Sequence, residues 1–237
     1  MRASKPWLRF YGDVPQSIDY PQVTLYDVVA DTVGKYPDDP AYDFMGFTST
    51  YRRFLDEIDR CADALAGLGL AKGDRVTIAM PTTPQGIICF YAANKLGAVA
   101  SMIHPLSTAS EIEFYLNLSR SKLALTLNAF YGKFKEVMAR TGLQRLILAE
   151  IPDYLPWLKG IAFQVLKGRK IPKVPPDDRV VWWRDLMKMT APEAPKAVMN
   201  THDLAVILYS GGTTGKPKGI MLSNANFIAE GMQCAHW

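Results

Sequence analysis

Apolar residues follow two different spacings along this chain, one typical of helices and one typical of buried strands. After Thr50 they recur every three or four residues, which predicts an amphipathic helix that Thr50 caps and that Gly67 and Gly69 end. Short uninterrupted apolar runs predict strands that are buried on both faces. The predicted strands cover residues 75–80, 98–103, 122–127 and 145–149, and further predicted helices cover 24–35, 86–96, 110–118 and 130–140.

Strands and helices alternate over most of the chain, and this order predicts an α/β fold of parallel βαβ units with helices on both faces of the sheet. The proline-rich region 172–195 predicts a surface connection within one domain, with one short helix near 182–189. Residues 154–173 combine aromatic, aliphatic and basic side chains. They predict a helix packed on the domain with its lysines directed to water, or a weak peripheral contact with a membrane. We favour the packed helix, because Gly160 and Gly168 weaken an isolated one.

The segment from Leu204 to Asn224 has the most specific chemistry in the chain. An apolar run ends at Tyr209, and a loop of glycines, hydroxyl residues and lysines separates it from a second apolar run at 220–222. Glycines allow successive backbone N–H groups to converge on one anion, while hydroxyl and ammonium groups add donors and positive charge. The pattern therefore predicts a polyphosphate-binding loop. Its candidate binding residues are Ser210, Gly211, Gly212, Thr213, Thr214, Gly215, Lys216 and Lys218.

This loop is not a Walker A motif. Three residues separate Gly211 from Gly215, where a Walker loop has four, and Lys216 is followed by Pro217 in place of serine or threonine. Proline lacks an N–H and fixes φ, so these residues cannot open a phosphate-binding helix in the Walker register. The chain returns into a strand, which indicates a different kind of nucleotide loop.

The ten residues from Ser210 to Gly219 resemble the phosphate loop of the adenylate-forming superfamily, which includes acyl-CoA synthetases, luciferases and peptide-synthetase adenylation domains. Ser210 takes the place of the usual first threonine and Gly211 that of the usual serine, so one hydroxyl donor is absent. Tyr209 with the loop, and His104 with the Pro-Leu that follows it, are most similar to long-chain fatty-acid:CoA ligases. Weaker matches precede the loop in the order of the family at residues 50–51, 73–76, 80–82, 93–98 and 111–112.

The resemblance implies ATP-dependent activation of a fatty acid to an acyl-adenylate, followed by thioester formation with CoA. It implies that residues 210–215 bind the phosphates, that Lys218 acts as the catalytic charge partner of the terminal phosphates, and that Mg²⁺ accompanies the nucleotide. No residue is assigned as a metal ligand. Residues 223–226 depart from the Thr-His-x-Asn pattern that often follows the loop in the family, so no role is transferred to them.

The resemblance covers only the opening part of the family pattern. We therefore expect residues 1–237 to form the N-terminal part of an adenylation domain, without the mobile C-terminal domain, and to be inactive alone. Two alternatives stay open. One is a related adenylating enzyme that loads a carrier protein or activates another acid, and the other is a non-catalytic nucleotide-binding or partner-binding fragment. The sequence does not indicate the oligomeric state.

Composition adds three expectations. With 49% hydrophobic and 21% charged residues, the chain can bury a substantial core, and residues 121–237 carry 16 basic and 9 acidic side chains, which suits an anionic ligand. No basic cluster carries interleaved stacking aromatics, so nucleic acid is not an expected partner. Neither a signal peptide nor a membrane-spanning apolar run is visible, which predicts a cytoplasmic protein.

We assign structural roles, and no chemistry, to the isolated cysteines and to two histidines. Cys61, Cys89 and Cys234 lack metal or redox spacing and are predicted as buried thiols. His104 and His202 have no identifiable carboxylate partner, so neither is assigned acid–base chemistry.

Overall fold

The computed structural model describes residues 5–166, 168, 171–210 and 217–237. Nine strands and eight α-helices lie within these residues. In chain order they are α1 Leu25–Lys35, β1 Pro40–Phe44, β2 Phe47–Thr50, α2 Tyr51–Gly67, β3 Arg75–Ala79, α3 Pro84–Lys95, β4 Val99–Met102, α4 Ala109–Ser119, β5 Leu123–Leu127, α5 Tyr131–Val137, β6 Arg145–Ala149, α6 Trp157–Leu166, β7 Val180–Trp182, α7 Trp183–Leu186, β8 Leu204–Ser210, β9 Lys218–Ser223 and α8 Asn224–His236.

Seven of the strands form one sheet in the order β7-β6-β5-β3-β4-β8-β9, and β1 and β2 form a separate hairpin. Neighbouring strands from β7 to β8 are parallel, whereas β8 and β9 are antiparallel. The predicted α/β fold with parallel βαβ units is thereby confirmed. The carboxyl ends of the parallel strands meet at one edge of the sheet, where open α/β folds place their ligand sites.

Alternate residues of the central strands pack on opposite faces of the sheet. Ile78 and Leu125 belong to a core cluster with the apolar residues of α2 and α3, while Ala124 and Leu148 belong to a second cluster with those of α4 and α5. Both faces are therefore covered, which explains why the strands appear in the sequence as mostly apolar runs.

Side-chain caps fix where several helices begin. The predicted cap at Thr50 is confirmed, since its hydroxyl accepts the N–H of Arg53. Thr24, Thr108 and Ser223 each form a reciprocal capping box with the residue three positions later. Each box satisfies N–H groups that the first turn of a helix leaves without partners. The box at Ser223 sets the start of α8 directly after β9.

The region 172–195 is more than the surface connection that the prolines predicted. Its residues Val180–Trp182 form β7, which pairs with β6, and the short helix α7 that follows buries Trp183. Asp177 holds the residues that precede β7 in place. Its carboxylate accepts the N–H of Arg179 and lies 2.7 Å from Nζ of Lys135 on α5. The hydrogen bond from Lys135 lowers the pKa of Asp177 to about 2.

Helix α6 does not pack on the domain as predicted. None of its residues is buried, although several are large and apolar. The helix contacts the rest of the chain through Lys159, whose Nζ donates to the carbonyl oxygen of Met45, and it lies beside Pro152 at Gly160. The apolar face of the helix is left outside the core.

One of the three cysteines differs from the prediction. Cys61 and Cys89 are buried, and burial raises the pKa of the Cys61 thiol, with a hydrogen bond to Cys89 adding to the effect. Cys234 is exposed on the last turn of α8. The apolar neighbours of Cys234 in the sequence are local, and local sequence does not show which side of a helix meets the core. No helix in the described part of the chain is long and apolar enough to cross a bilayer.

Candidate phosphate-binding site

The predicted phosphate loop lies between β8 and β9, at the carboxyl edge of the sheet. The hairpin ladder ends with Ser210 opposite Lys218, so the two flanking candidate residues occupy facing positions. Because directly opposed residues in an antiparallel pair are about 5 Å apart, this pair holds the two ends of the loop together. The candidates Gly211, Gly212, Thr213, Thr214, Gly215 and Lys216 lie outside the described residues.

Lys218 is exposed at the start of β9. No carboxylate in the described part of the chain, which includes every aspartate and glutamate, forms an ion pair with it. An exposed ammonium at the mouth of a loop can approach a mobile anion without first breaking an internal ion pair. The geometry is therefore compatible with a role for Lys218 in binding phosphate.

Tyr209 holds the strand end that leads into the loop. Its hydroxyl lies 2.8 Å from Oγ of Ser101 on β4, and its ring centroid lies 4.3 Å from that of Tyr115 on α4. Gly219 faces Tyr209 across the hairpin, and a Cβ at Gly219 would lie 3.1 Å from Cγ2 of Ile207 and 3.5 Å from the Tyr209 ring. The absence of a side chain at Gly219 thus allows β9 to pack closely beside these residues.

Asn224 anchors the other end of the hairpin. This fully buried side chain accepts the N–H of Leu25 at 3.0 Å and an Nδ2–H of Asn94 at 2.8 Å. Asn94 in turn accepts the N–H of Tyr26 at 2.9 Å. One polar network therefore joins the start of α8 to α1 and α3, and it fixes the chain immediately after β9.

An apolar cavity of about 520 Å³ opens at the same edge of the sheet. It lies between α3, α8 and the carboxyl ends of β3 and β4. Thr83 also lines it, and the Oγ1 of this residue is buried without a hydrogen-bond partner in the described structure. The apolar lining includes Ile78, Met80, Ile87, Phe90, Met102 and Phe227, and Gly231 completes the wall on α8.

Neither His104 nor His202 shows catalytic geometry. His104 is exposed, and its Nδ1 accepts the N–H of Leu106, which shapes the turn after β4. His202 donates its backbone N–H to Asn200 just before β8. Among the described residues, no group of three or more histidine, cysteine, aspartate or glutamate side chains could hold a metal ion.

Sequence reasoning named Ser210 and Lys218 but missed the residues that support them. Ser101 and Tyr115 contact Tyr209 from elements that precede it by about a hundred residues, and Asn224 meets Leu25 across 199 positions. The signals available were weak. Asn94 lies in one of the short matching segments, and Asn224 lies two positions after the predicted strand that ends at Leu222.

Comparison with known protein families identifies the family of this chain. Residues 29–237 match the AMP-binding enzyme family, and the chain belongs to it. This finding confirms the resemblance drawn from the loop. It also places the whole of the sheet within the family, because the match begins in α1 and runs through α8.

Two relatives and one solved structure illustrate the similarity. The chain is 31% identical to a long-chain-fatty-acid–CoA ligase of Bacillus subtilis (strain 168) over 100% of this chain and 43% of the relative. It is 33% identical to a ligase of the same name from Escherichia coli O6:H1, over 95% of this chain and 41% of the relative. The crystal structure of a long-chain-fatty-acid-CoA ligase from Archaeoglobus fulgidus matches its fold with a TM-score of 0.71 at 23% identity, over 92% of this chain and 40% of that one. The chain thus spans less than half the length of these proteins.

Proposed function

We propose that this chain provides the phosphate-binding part of an AMP-forming fatty-acyl-CoA synthetase. The observation that carries the proposal is the β8–β9 hairpin, which places Ser210 and the exposed Lys218 at the two ends of a glycine- and threonine-rich loop. Membership of the AMP-binding enzyme family supports the nucleotide, and the names of the two relatives support the fatty acid and CoA.

In the proposed reaction, a carboxylate oxygen attacks the α-phosphorus of ATP and pyrophosphate leaves. The thiol of CoA then attacks the carbonyl carbon of the acyl-adenylate, and AMP leaves. The first step needs the β- and γ-phosphates to be held still while negative charge develops on the leaving group. Residues 210–215 would supply hydroxyl and backbone donors for these phosphates, and Lys218 would offset their charge.

Mg²⁺ would accompany the nucleotide. A magnesium ion bound to phosphates keeps several waters and needs few protein ligands. The described residues beside the loop offer the hydroxyl of Ser210 and the ammonium of Lys218 and no carboxylate, so the phosphates and water would supply the ligands of the ion there. Its contribution would be to neutralise phosphate charge, the same task that we assign to Lys218.

The apolar cavity is our candidate for the hydrocarbon chain of the acid. Its wall of aliphatic, thioether and aromatic side chains would exclude water from such a chain, and a volume of about 520 Å³ is within the range of small-molecule sites. It opens at the edge of the sheet that carries the phosphate loop, so an acid bound there would lie on the same side of the molecule as ATP.

Replacing Gly231 with leucine is expected to shorten the acids that are accepted. A Cβ at Gly231 would meet no atom within 4 Å, so the new side chain can enter the cavity without displacing the helix. We expect KM for palmitate to rise about tenfold, the effect of losing one or two buried methylenes, while KM for acetate stays unchanged. Gly34→Leu is the matched control, since Gly34 also lies in a helix with open space around it. An equal change in KM for palmitate and for acetate would show that the cavity does not bind the hydrocarbon chain.

The proposed function is tested by ATP–pyrophosphate exchange on the longest polypeptide that the gene encodes. Acetate, benzoate, octanoate and palmitate are offered as acids, and CoA or a carrier protein is offered as acceptor. We expect exchange that depends on a fatty acid and a thioester that forms on CoA, and we expect residues 1–237 alone to show no turnover. Exchange with benzoate only, transfer only to the carrier protein, or no exchange at all would each contradict the assignment.

A further inference from the structure

Helix α6 presents an unusually apolar surface to solvent. Trp157 is 73% exposed, and Leu158, Ile161 and Val165 are each more than half exposed. Their spacing of one, four and eight positions from Trp157 places all four within one face of the helix. Four large apolar side chains on one uncovered face mark an interaction surface.

The tip of the β1–β2 hairpin extends this surface. Met45 occupies the turn with φ of 55° and is 56% exposed. Nζ of Lys159 on α6 donates to the carbonyl oxygen of Met45 at 2.6 Å, which joins the helix to the hairpin tip. The apolar patch, which we define as Met45, Trp157, Leu158, Ile161 and Val165, is therefore built from two elements that are tied together.

The charges of the same segment indicate what the patch meets. Residues 154–173 contain five basic side chains and no acidic one. The chain as a whole carries 27 basic and 23 acidic residues, so this segment departs strongly from the average. Binding to an apolar protein surface would require only the patch. A patch within a basic segment also matches a bilayer, whose acyl boundary is apolar and whose headgroups are anionic.

We propose that α6 and the tip of the β1–β2 hairpin dock this protein onto an anionic phospholipid surface. Trp157, Ile161 and Val165 enter the headgroup boundary, and the net positive charge of residues 154–173 attracts the anionic lipid. The helix lies in the plane of the interface and does not cross it, since its ten residues are too few to span the hydrocarbon core. This docking does not depend on the proposed ligase activity.

Vesicle co-sedimentation of the purified 237-residue chain tests the proposal. The vesicles contain phosphatidylcholine alone or phosphatidylcholine with phosphatidylglycerol. We expect binding to the mixed vesicles, at least tenfold weaker binding to the neutral ones, and a decline as salt is raised because surface charge is screened. Soluble glycerol phosphate should not compete, since it lacks the apolar phase that the patch enters.

Variants separate the patch from the rest of the surface. The double variant Ile161→Asp and Val165→Asp is expected to weaken binding to mixed vesicles by about tenfold or more, because both side chains lose their apolar contact. The control is Leu118→Asp with Val198→Asp, which adds the same charge at exposed apolar positions elsewhere. Far-ultraviolet circular dichroism checks that both double variants remain folded, as we expect from their exposed positions.

Three results would overturn the proposal. The first is equal vesicle binding by the chain and by both double variants. The second is concentration-dependent dimerisation that the α6 variant abolishes, without vesicle binding, which would assign the patch to a second copy of the chain. The third is binding by residues 1–237 but not by the longest polypeptide that the gene encodes, which would show that other residues of that polypeptide cover the patch.

Discussion

Replacing Asn224 with alanine is expected to lower the free energy of unfolding by about 3 kcal/mol. The change removes the acceptor for the N–H of Leu25 and for the amide of Asn94, in a place that water does not reach. Each buried donor left without a partner costs about 1–3 kcal/mol. Urea denaturation followed by circular dichroism measures the loss, and an unchanged m-value would show that the unfolded state is not responsible.

Asn117 offers a matched control for this variant. Its side chain is exposed on α4 and makes one hydrogen bond of 3.3 Å, to the carbonyl oxygen of Arg140. We expect Asn117→Ala to change the free energy of unfolding by about 0.5 kcal/mol or less, as is usual at the surface. If Asn224→Ala cost no more than Asn117→Ala, the network would not anchor α8 as the structure indicates.

Replacing Lys218 with alanine is expected to weaken ATP binding by about 10- to 100-fold. This range corresponds to the loss of one charge-assisted hydrogen bond of about 1.5–3 kcal/mol. The fold should be unaffected, because the Lys218 side chain is exposed and has no ion pair in the described structure. Isothermal titration of the chain with Mg–ATP measures the change, and adenosine, which lacks phosphates, should show none.

Two further variants make this result specific. Lys218→Arg keeps the positive charge and should retain most of the affinity. Lys188→Ala removes an exposed lysine at the end of α7, away from the hairpin, and should bind ATP as the unchanged chain does. Equal affinity of the Lys218→Ala and Lys188→Ala variants would count against the phosphate-loop assignment.

Much of the sheet could be predicted because its signals are local. A strand buried on both faces is apolar at most positions, so β3, β4, β5 and β6 appear as mostly apolar runs. The buried hydroxyl residues Thr77, Ser101 and Thr126 interrupt three of them, and each has a hydrogen-bond partner. Helix caps are equally local, which is why Thr50 was identified correctly. The pattern that predicts a phosphate loop is local in the same way, since its residues are consecutive.

The missed features depend on contacts between distant residues. Strand β7 has only three residues, too few for a periodic pattern, and it is a strand because β6 offers a free edge. The strands of the β1–β2 hairpin are largely half-exposed and end at Met45 and Gly46, whose positive φ values no apolar pattern predicts. The position of α6 outside the core depends on what surrounds it, and so does that of Cys234.

The supporting residues of the site were hidden in the same way. Asn224 acquires its role from Leu25 and Asn94, and Tyr209 acquires its orientation from Ser101 and Tyr115. Asparagine, serine and tyrosine are common residues, and their importance appears only when the fold brings them together.

The most direct test of the account is whether the loop between β8 and β9 contacts the phosphates of ATP. Backbone amide resonances of Gly211, Gly212 and Gly215 are followed by nitrogen-15 NMR during titration with Mg–ATP, inorganic tripolyphosphate and adenosine. We expect ATP and tripolyphosphate to shift these three resonances strongly, adenosine to leave them unchanged, and Lys218→Ala to reduce the shifts. Shifts confined to other parts of the chain, or equal shifts with adenosine, would contradict this expectation.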